Sequence, residues 1–470
     1  MKVIIIGGDV SALVCAITCR RDNLNVIVLE SGQDTETPPG VQIPPNGTHL
    51  LRRLGLLDEV LEKGNILQTI DFRHYADGGL IRSMPCGEET CRVYRGPWIT
   101  IHRADLLQIL RDRARKLGTE IRSAAVREVN SATAEVILED WEKLQGDIVI
   151  KANDKTINEP PSSSTPNDTE TIYQATISRK HLEALNNPTI DELWQDRHST
   201  TVWLGPNQHA VFYPVRHSQT FILNIYHTNT DSNSSTTPTA QEICTGWDTR
   251  LQTILTLTPT LTPTTTSSNH THNHHHQTPT QNTPPQSLLT HLPTQITQTI
   301  PPYLFQTTST AIEDALTLGT LLSLYNQHTH LHFHPQLEPQ SQSHSHLPSL
   351  LTLHTTLRAP ITTSKTQAAL STLRTIQLEN GLTQQARDWV LSGAGITRDT
   401  DGWWKVVSSR QEGVLGGGVG LVDETGRAFW EWMRERGGGL GDREREGSSS
   451  SSWRSSCGIG GSRRRWYAWC

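Results

Sequence analysis

Residues 1–30, MKVIIIGGDVSALVCAITCRRDNLNVIVLE, decide the fold. Lys2 to Ile6 is a β-branched apolar run, as a buried strand requires. Gly7 and Gly8 make a turn, and a helix is predicted over about Ser11 to Arg21. Asn25 to Leu29 is a second strand, and Glu30 stands at its end. Strand, glycine turn, helix and strand with a terminal acid is the opening of a dinucleotide-binding unit, the acid being placed for a ribose hydroxyl. Against G-x-G-x-x-G, Gly7 fills the first position, Asp9 the second and Ala12 the third. Alanine is accepted at the third position. Aspartate at the second brings a side chain and a charge to the place where backbone approaches pyrophosphate. Two like charges about 4 Å apart cost on the order of 4 kcal/mol at an effective dielectric near 20, roughly a thousandfold in affinity. Nucleotide binding then requires that Asp9 turn away or be neutralised. The glycine pattern alone leaves a strand-turn-helix without a nucleotide equally open.

The chain has 470 residues, enough for two or three domains. A net charge of −6 gives no electrostatic case for nucleic acid or an anionic membrane. Seven cysteines form no C-x-x-C pair, and no apolar run reaches the 18 or so residues of a spanning helix. With no cleavable segment ahead of the first strand, the expectation is a cytoplasmic protein without a membrane span.

Residues 1–228 have the texture of globular sequence. GTHLLRRLGLLDEVLEKG (47–64) and RADLLQILRDRARKLG (103–118) are amphipathic helices. TEIRSAAVREVN and AEVILED alternate as strands, GDIVIKAND (146–154) is a short apolar strand, and 199–227 is three strands around tight turns, an antiparallel sheet. Between about 228 and 300 the chain turns to Thr, Pro, Asn and His, with little to bury and an expectation of disorder. Its HTHNHHH tract (270–276) could take a transition metal, but no carboxylate supports a built site and no metal is expected. Helical pattern returns at 311–325 and 350–391. A Gly/Arg/Ser-rich tail, 393–470, carries no expected domain.

Several separated stretches then resemble one family, the FAD-dependent aromatic-ring monooxygenases of the salicylate-hydroxylase type, especially fungal members. They are the opening unit with Glu30, GVQIPPNGTHLLRRLGLLDEV (40–60), ITIHRADLLQIL (99–110), VWLGPNQHAVFYPVR (202–216), GWDTRLQTILTLTP (246–259), PPYLFQTTSTAIEDALTLGTLL (301–322) and residues 357–388. The resemblance implies an α/β chain: a Rossmann-like FAD-binding domain, an antiparallel-sheet substrate domain and C-terminal helices. Its boundaries would be 1–75 with 100–172 for FAD, 76–99 with 173–250 for substrate, 251–300 low in complexity, and 301–392 returning to the FAD side. It implies FAD as cofactor, NAD(P)H as co-substrate, oxygen as oxidant and a small aromatic or polyketide-like substrate, with a place in secondary metabolism.

The same resemblance assigns residues. Gly7 and Ala12 would shape the cofactor turn, Glu30 would bind the ribose, Gly40 would line the flavin, and Arg103 would run along the phosphates and ribitol. Tyr213 could face the reacting carbon or be an ordinary buried sheet tyrosine. Departures accompany these matches. The family's DG pair reads Asn153-Asp154, its GDAAHP aspartate falls on Gln295, its flavin-side glycine on Thr307, and an arginine of its substrate domain on Gln174. A flavin-poor relative, acting as a binding protein or remnant, is therefore the second reading. A nicotinamide-only oxidoreductase is a weaker third, lacking a second dinucleotide motif.

Overall fold

A computed structural model describes residues 1–32, 39–152, 169–195, 198–228, 238–258, 261, 263–267, 289–291, 302–331, 346–393 and 420–435. The chain is mixed α/β. A parallel sheet runs β18-β12-β1-β2-β8, made of β1 (Lys2–Ile6), β2 (Asn25–Glu30), β8 (Glu120–Ser123), β12 (Ile148–Lys151) and β18 (Leu289–His291). Val3 pairs with Ile148 and Lys2 with Asn25, so the two apolar runs flank β1. Helix α1 (Val10–Arg21) crosses from β1 to β2 and is buried from Val10 to Cys19. An all-round apolar helix must be covered on every side. Helix α10 (Thr307–Leu331) packs on it, as does α5 (Arg103–Lys116).

A second sheet runs β17-β13-β16-β15-β14-β5-β6. Its strands are β5 (Thr69–His74), β6 (Leu80–Pro85), β13 (Thr169–Ser178), β14 (Ser199–Gly205), β15 (Gln208–Val215), β16 (Thr220–Thr228) and β17 (Pro263–Ser267). The three strands expected over 199–227 are β14, β15 and β16 and pair antiparallel as expected; the sheet is antiparallel throughout except where β14 lies parallel to β5. The chain enters it at Thr69 and again at Thr169, ahead of the expected boundaries at 76 and 173.

This sheet has two apolar faces because its strands alternate. Trp203, Ala210, Phe212, Phe221, Leu223 and Ile225 turn to one side. There they meet helices α6 (Arg179–Ala184), α7 (Pro188–Trp194), α8 (Ala240–Ile243) and α9 (Thr249–Thr256). Val202, Leu204, Val211, Tyr213, Ile222 and Tyr226 turn to the other, the front face, and meet Trp98, Tyr303 and Phe305. A small sheet, β3 (Gly40–Ile43), β7 (Ile99–His102) and β4 (Asn65–Ile66), closes that seam. A meander of β9 (Val126–Asn130), β10 (Glu135–Leu138) and β11 (Lys143–Gln145) covers the outside of the parallel sheet.

The helix expected over 47–64 is two: α2 (Pro45–Leu54) and α3 (Leu57–Lys63), with α4 (Gly87–Tyr94) following. Gly55 ends α2 in a left-handed conformation at φ 72°. The pattern over 350–391 also divides, into α11 (Leu347–Ile376) and α12 (Leu382–Leu391). Residues 421–435, expected to be tail, form helix α13 (Leu421–Glu435). Leu421, Phe429 and Trp432 are buried in the core that α1 and α10 share. The histidine tract, Asn153-Asp154 and Gln295 lie outside the described residues.

Candidate functional site

The site is built at the end of β1. Gly7 adopts φ 118°, which an L side chain rarely tolerates, and its amide donates to Leu29 O at 2.8 Å. A Cβ on Gly8 would lie 2.6 Å from the Glu30 carboxyl carbon. The acid at the end of β2 therefore folds over the turn, with Glu30 Oε1 held 3.0 Å from Arg111 Nε. Ala12 is fully buried behind the turn.

Asp9 is the N-cap of α1, accepting the Val10 amide at 2.6 Å. Its Oδ1 lies 2.9 Å from Arg103 Nη2 in a buried ion pair. The charge at the damaged glycine position is thus neutralised by the arginine that the resemblance had sent to the cofactor. A helix N-terminus and a guanidinium converging on one carboxylate form an anion-binding point. Beside them the Ser11 hydroxyl, in the first turn of α1, is buried without a hydrogen-bond partner among the described residues. Arg103 is fixed from behind: it opens α5, and its amide donates to Pro39 O at 2.9 Å.

That last bond ties Arg103 to β3. Gly40 pairs with His102 across the small sheet, and a Cβ there would come within 2.8 Å of Tyr213 Oη and 2.7 Å of Ile222. Glycine at 40 lets β3 lie against the front face of the large sheet. The path Arg103–Pro39–Gly40–Tyr213 joins the two halves of the site. Tyr213 is buried, and burial first, then the nearby Tyr226 hydroxyl, push its own hydroxyl well above the ordinary range. At neutral pH it is a hydrogen-bonding phenol, not a base.

Two groups on the front face were not singled out from the sequence. Glu170 accepts from Tyr303 Oη at 2.5 Å. Burial pushes its carboxyl up to about 7, with the tyrosine bond pulling the other way. His209 stacks on Tyr226 at 4.5 Å with planes 5° apart, and burial takes it down to about 3. The available signal was alternation: in TETIYQATIS, Glu170 shares a face with Ile172 and Gln174.

Behind the seam, a buried charge network fixes the start of α10. Glu313 accepts from Asn46 at 2.8 Å, and from Lys365 and Arg358 at 2.7 Å each. Arg358 also pairs with Asp314. Thr307, on the family's flavin-side glycine, opens this helix. Gln174 faces Asn224 on the front face. Among the described residues no group of three or more His, Cys, Asp or Glu could hold a metal ion. No helix there is long and apolar enough to cross a membrane.

No family model matches the chain. It is 33% identical over 226 residues to the FAD-dependent monooxygenase OpS4 of Beauveria bassiana, covering 46% of this chain and 52% of that one. The 3-amino-4-hydroxybenzoate 2-monooxygenase of Streptomyces cremeus is 27% identical over 222 residues, covering 47% and 55%. The stretch these matches share is similar to FAD-dependent monooxygenases, as the sequence resemblance implied. The 3-hydroxybenzoate 6-hydroxylase of Polaromonas naphthalenivorans is 25% identical over 226 residues, covering 46% and 54%. The chain thus spans about half the length of these curated relatives. Among solved structures, FqzB superimposes with a TM-score of 0.65 at 18% identity, covering 94% of this chain and 95% of that one. A salicylate hydroxylase substrate complex gives 0.58 at 16%, covering 90% and 98%. At these identities the superpositions establish the shared fold.

Proposed function

We propose that the chain is an FAD-dependent monooxygenase that uses NAD(P)H and oxygen to hydroxylate a small aromatic or polyketide-like substrate. The observation that carries this reading is the convergence of Arg103 on the N-terminus of α1. The parallel sheet with α1 would be the Rossmann-like FAD domain, and the seven-stranded sheet the substrate domain. The residues fit the cofactor. Arg103, the first turn of α1 and the orphaned Ser11 hydroxyl would hold the diphosphate, Glu30 the ribose, and Gly40 the edge of the flavin. Bound FAD supplies the redox and oxygen chemistry. The chain contributes position and dryness: the front face is apolar around Tyr213, whose protonated hydroxyl orients what lies against it.

A second reading is favoured by one feature. Asp9 already uses the cation and the helix N-terminus that a diphosphate would use, which suits a flavin-poor relative acting as a binding protein. The test is steady-state NAD(P)H oxidation by FAD-supplemented protein in the presence of small phenols. Substrate-stimulated oxidation with a hydroxylated product supports the enzyme. No product at any FAD concentration leaves the flavin-poor relative.

A further inference from the structure

The front face carries an unusual set of polar groups for a protein with benzoate-hydroxylating relatives. The register places Glu170, Ile172, Gln174 and Thr176 of β13 opposite Thr228, Tyr226, Asn224 and Ile222 of β16. His209, Val211 and Tyr213 of β15 share that face with them. No lysine or arginine stands at any of these positions. Asn224 is 5% exposed. Its Nδ2 reaches Tyr226 Oη at 3.5 Å, while its Oδ1 has no hydrogen-bond partner among the described residues. A buried amide oxygen left unpaired costs about 1–3 kcal/mol, and a ligand that donates to it would recover that cost. Tyr303 holds Glu170 from the segment preceding α10 and sets its ring edge against His209 at 5.6 Å and Tyr226 at 6.1 Å. Gln377 Nε2 donates to His209 Nδ1 at 3.0 Å, which keeps the imidazole neutral and its tautomer fixed.

We infer that this face selects a neutral aromatic substrate bearing N–H or O–H donors over an aromatic carboxylate, with Glu170 and Asn224 as the accepting groups. The inference rests on the proposed role of the seven-stranded sheet as the substrate side. A carboxylate entering this face meets a buried acid, and like charges set together in a site cost several kcal/mol. A donor meets two acceptors and aromatic rings. Specificity here comes as much from repulsion of the wrong ligand as from attraction of the right one.

The experiment uses a near-isosteric pair, 3-hydroxybenzamide and 3-hydroxybenzoate, titrated into the full chain at about pH 8 by calorimetry, with FAD titrated separately into the same preparation. The amide should bind about tenfold tighter or better, and Glu170→Gln should bring the two affinities together. If Glu170→Gln does not fold, the wild-type preference should narrow at about pH 6, where Glu170 is protonated while the benzoate remains an anion. Tyr303, Tyr226 and His209 face Glu170 and none changes charge in that interval. Equal or tighter binding of the benzoate overturns the inference, as does a preference indifferent to both Glu170→Gln and pH, or no binding of either compound. Failure to bind FAD, with the amide preference intact, sinks the oxidative function and leaves this selection standing.

Discussion

At the scale of the residue, the decisive contacts join positions far apart in the sequence. Gly7 was legible because its conformation is local: a positive φ at a strand end needs glycine. Asp9 was legible as a misfit, but its solution was not, because Arg103 is far along the chain and reaches it only through folding. Glu30 and Arg111 are separated in the same way. Gly8 makes a prediction here. In Gly8→Ala the new methyl group lies where the Glu30 carboxyl now sits, so Glu30 must leave both the turn and Arg111. An exposed or half-exposed pair contributes at most about 1 kcal/mol, so the fold should survive with little change in melting temperature. Its affinity for adenosine-containing ligands should fall about tenfold. An unchanged affinity for ADP in calorimetry would remove Glu30 from the ribose role.

At the scale of the element, composition misled where periodicity would have served. Helix α13 is flanked by glycine, serine and arginine runs, which made its surroundings read as tail. Within it Leu421, Thr425, Phe429 and Trp432 recur at helical spacing and are the buried residues. Phe429 is fully buried among the residues of the α1–α10 core. Phe429→Ala should cost about 3–5 kcal/mol, read as a lower urea midpoint. A midpoint within error of wild type would mean that α13 does not dock. The three strands over 199–227 were readable because strict alternation survives on both faces. Glu170 was missed because one acid in an alternating strand reads as an ordinary solvent-facing residue.

At the scale of the whole molecule, buried ionisable groups set the pH range of the fold. Burial works to raise Glu313, but Lys365 and then Arg358 beside it prevail and hold it down to about 2, from an ordinary 4.5. Its stabilisation is present above about 4.5 and is lost as pH falls toward 2. Burial holds His209 at about 3 and His354 at about 4 against an ordinary 6.5. Both are neutral in the fold, so their contribution is present above 6.5 and is lost below it. Glu170 runs the other way, raised to about 7 by burial, and its contribution is lost as pH rises through that value. Stability to urea should therefore climb from acid toward about pH 6.5, the histidines and Glu313 outweighing the opposing loss from Glu170, and these groups add no further change above about pH 7, where Glu170 has finished titrating. A continuous gain from about pH 6.5 down to pH 4 would contradict these assignments.

The charge network of Glu313, Asp314, Arg358 and Lys365 also couples α10 and α11 to Asn46 of α2. On the proposed function, Arg103 is shared between Asp9 and the diphosphate of FAD. The most direct test is the FAD affinity of three proteins: wild type, Asp9→Gly and Arg103→Ala. Replacing Asp9 by glycine changes the α1 cap by only a few tenths of a kcal/mol but also removes the buried partner of Arg103, a change worth up to about 3–5 kcal/mol, so a melting curve on each protein accompanies its titration. Wild type should bind FAD weakly but saturably, Asp9→Gly should bind about tenfold or more tighter, and Arg103→Ala should lose binding. Equal affinities in all three, or no FAD bound by Asp9→Gly, would contradict that sharing.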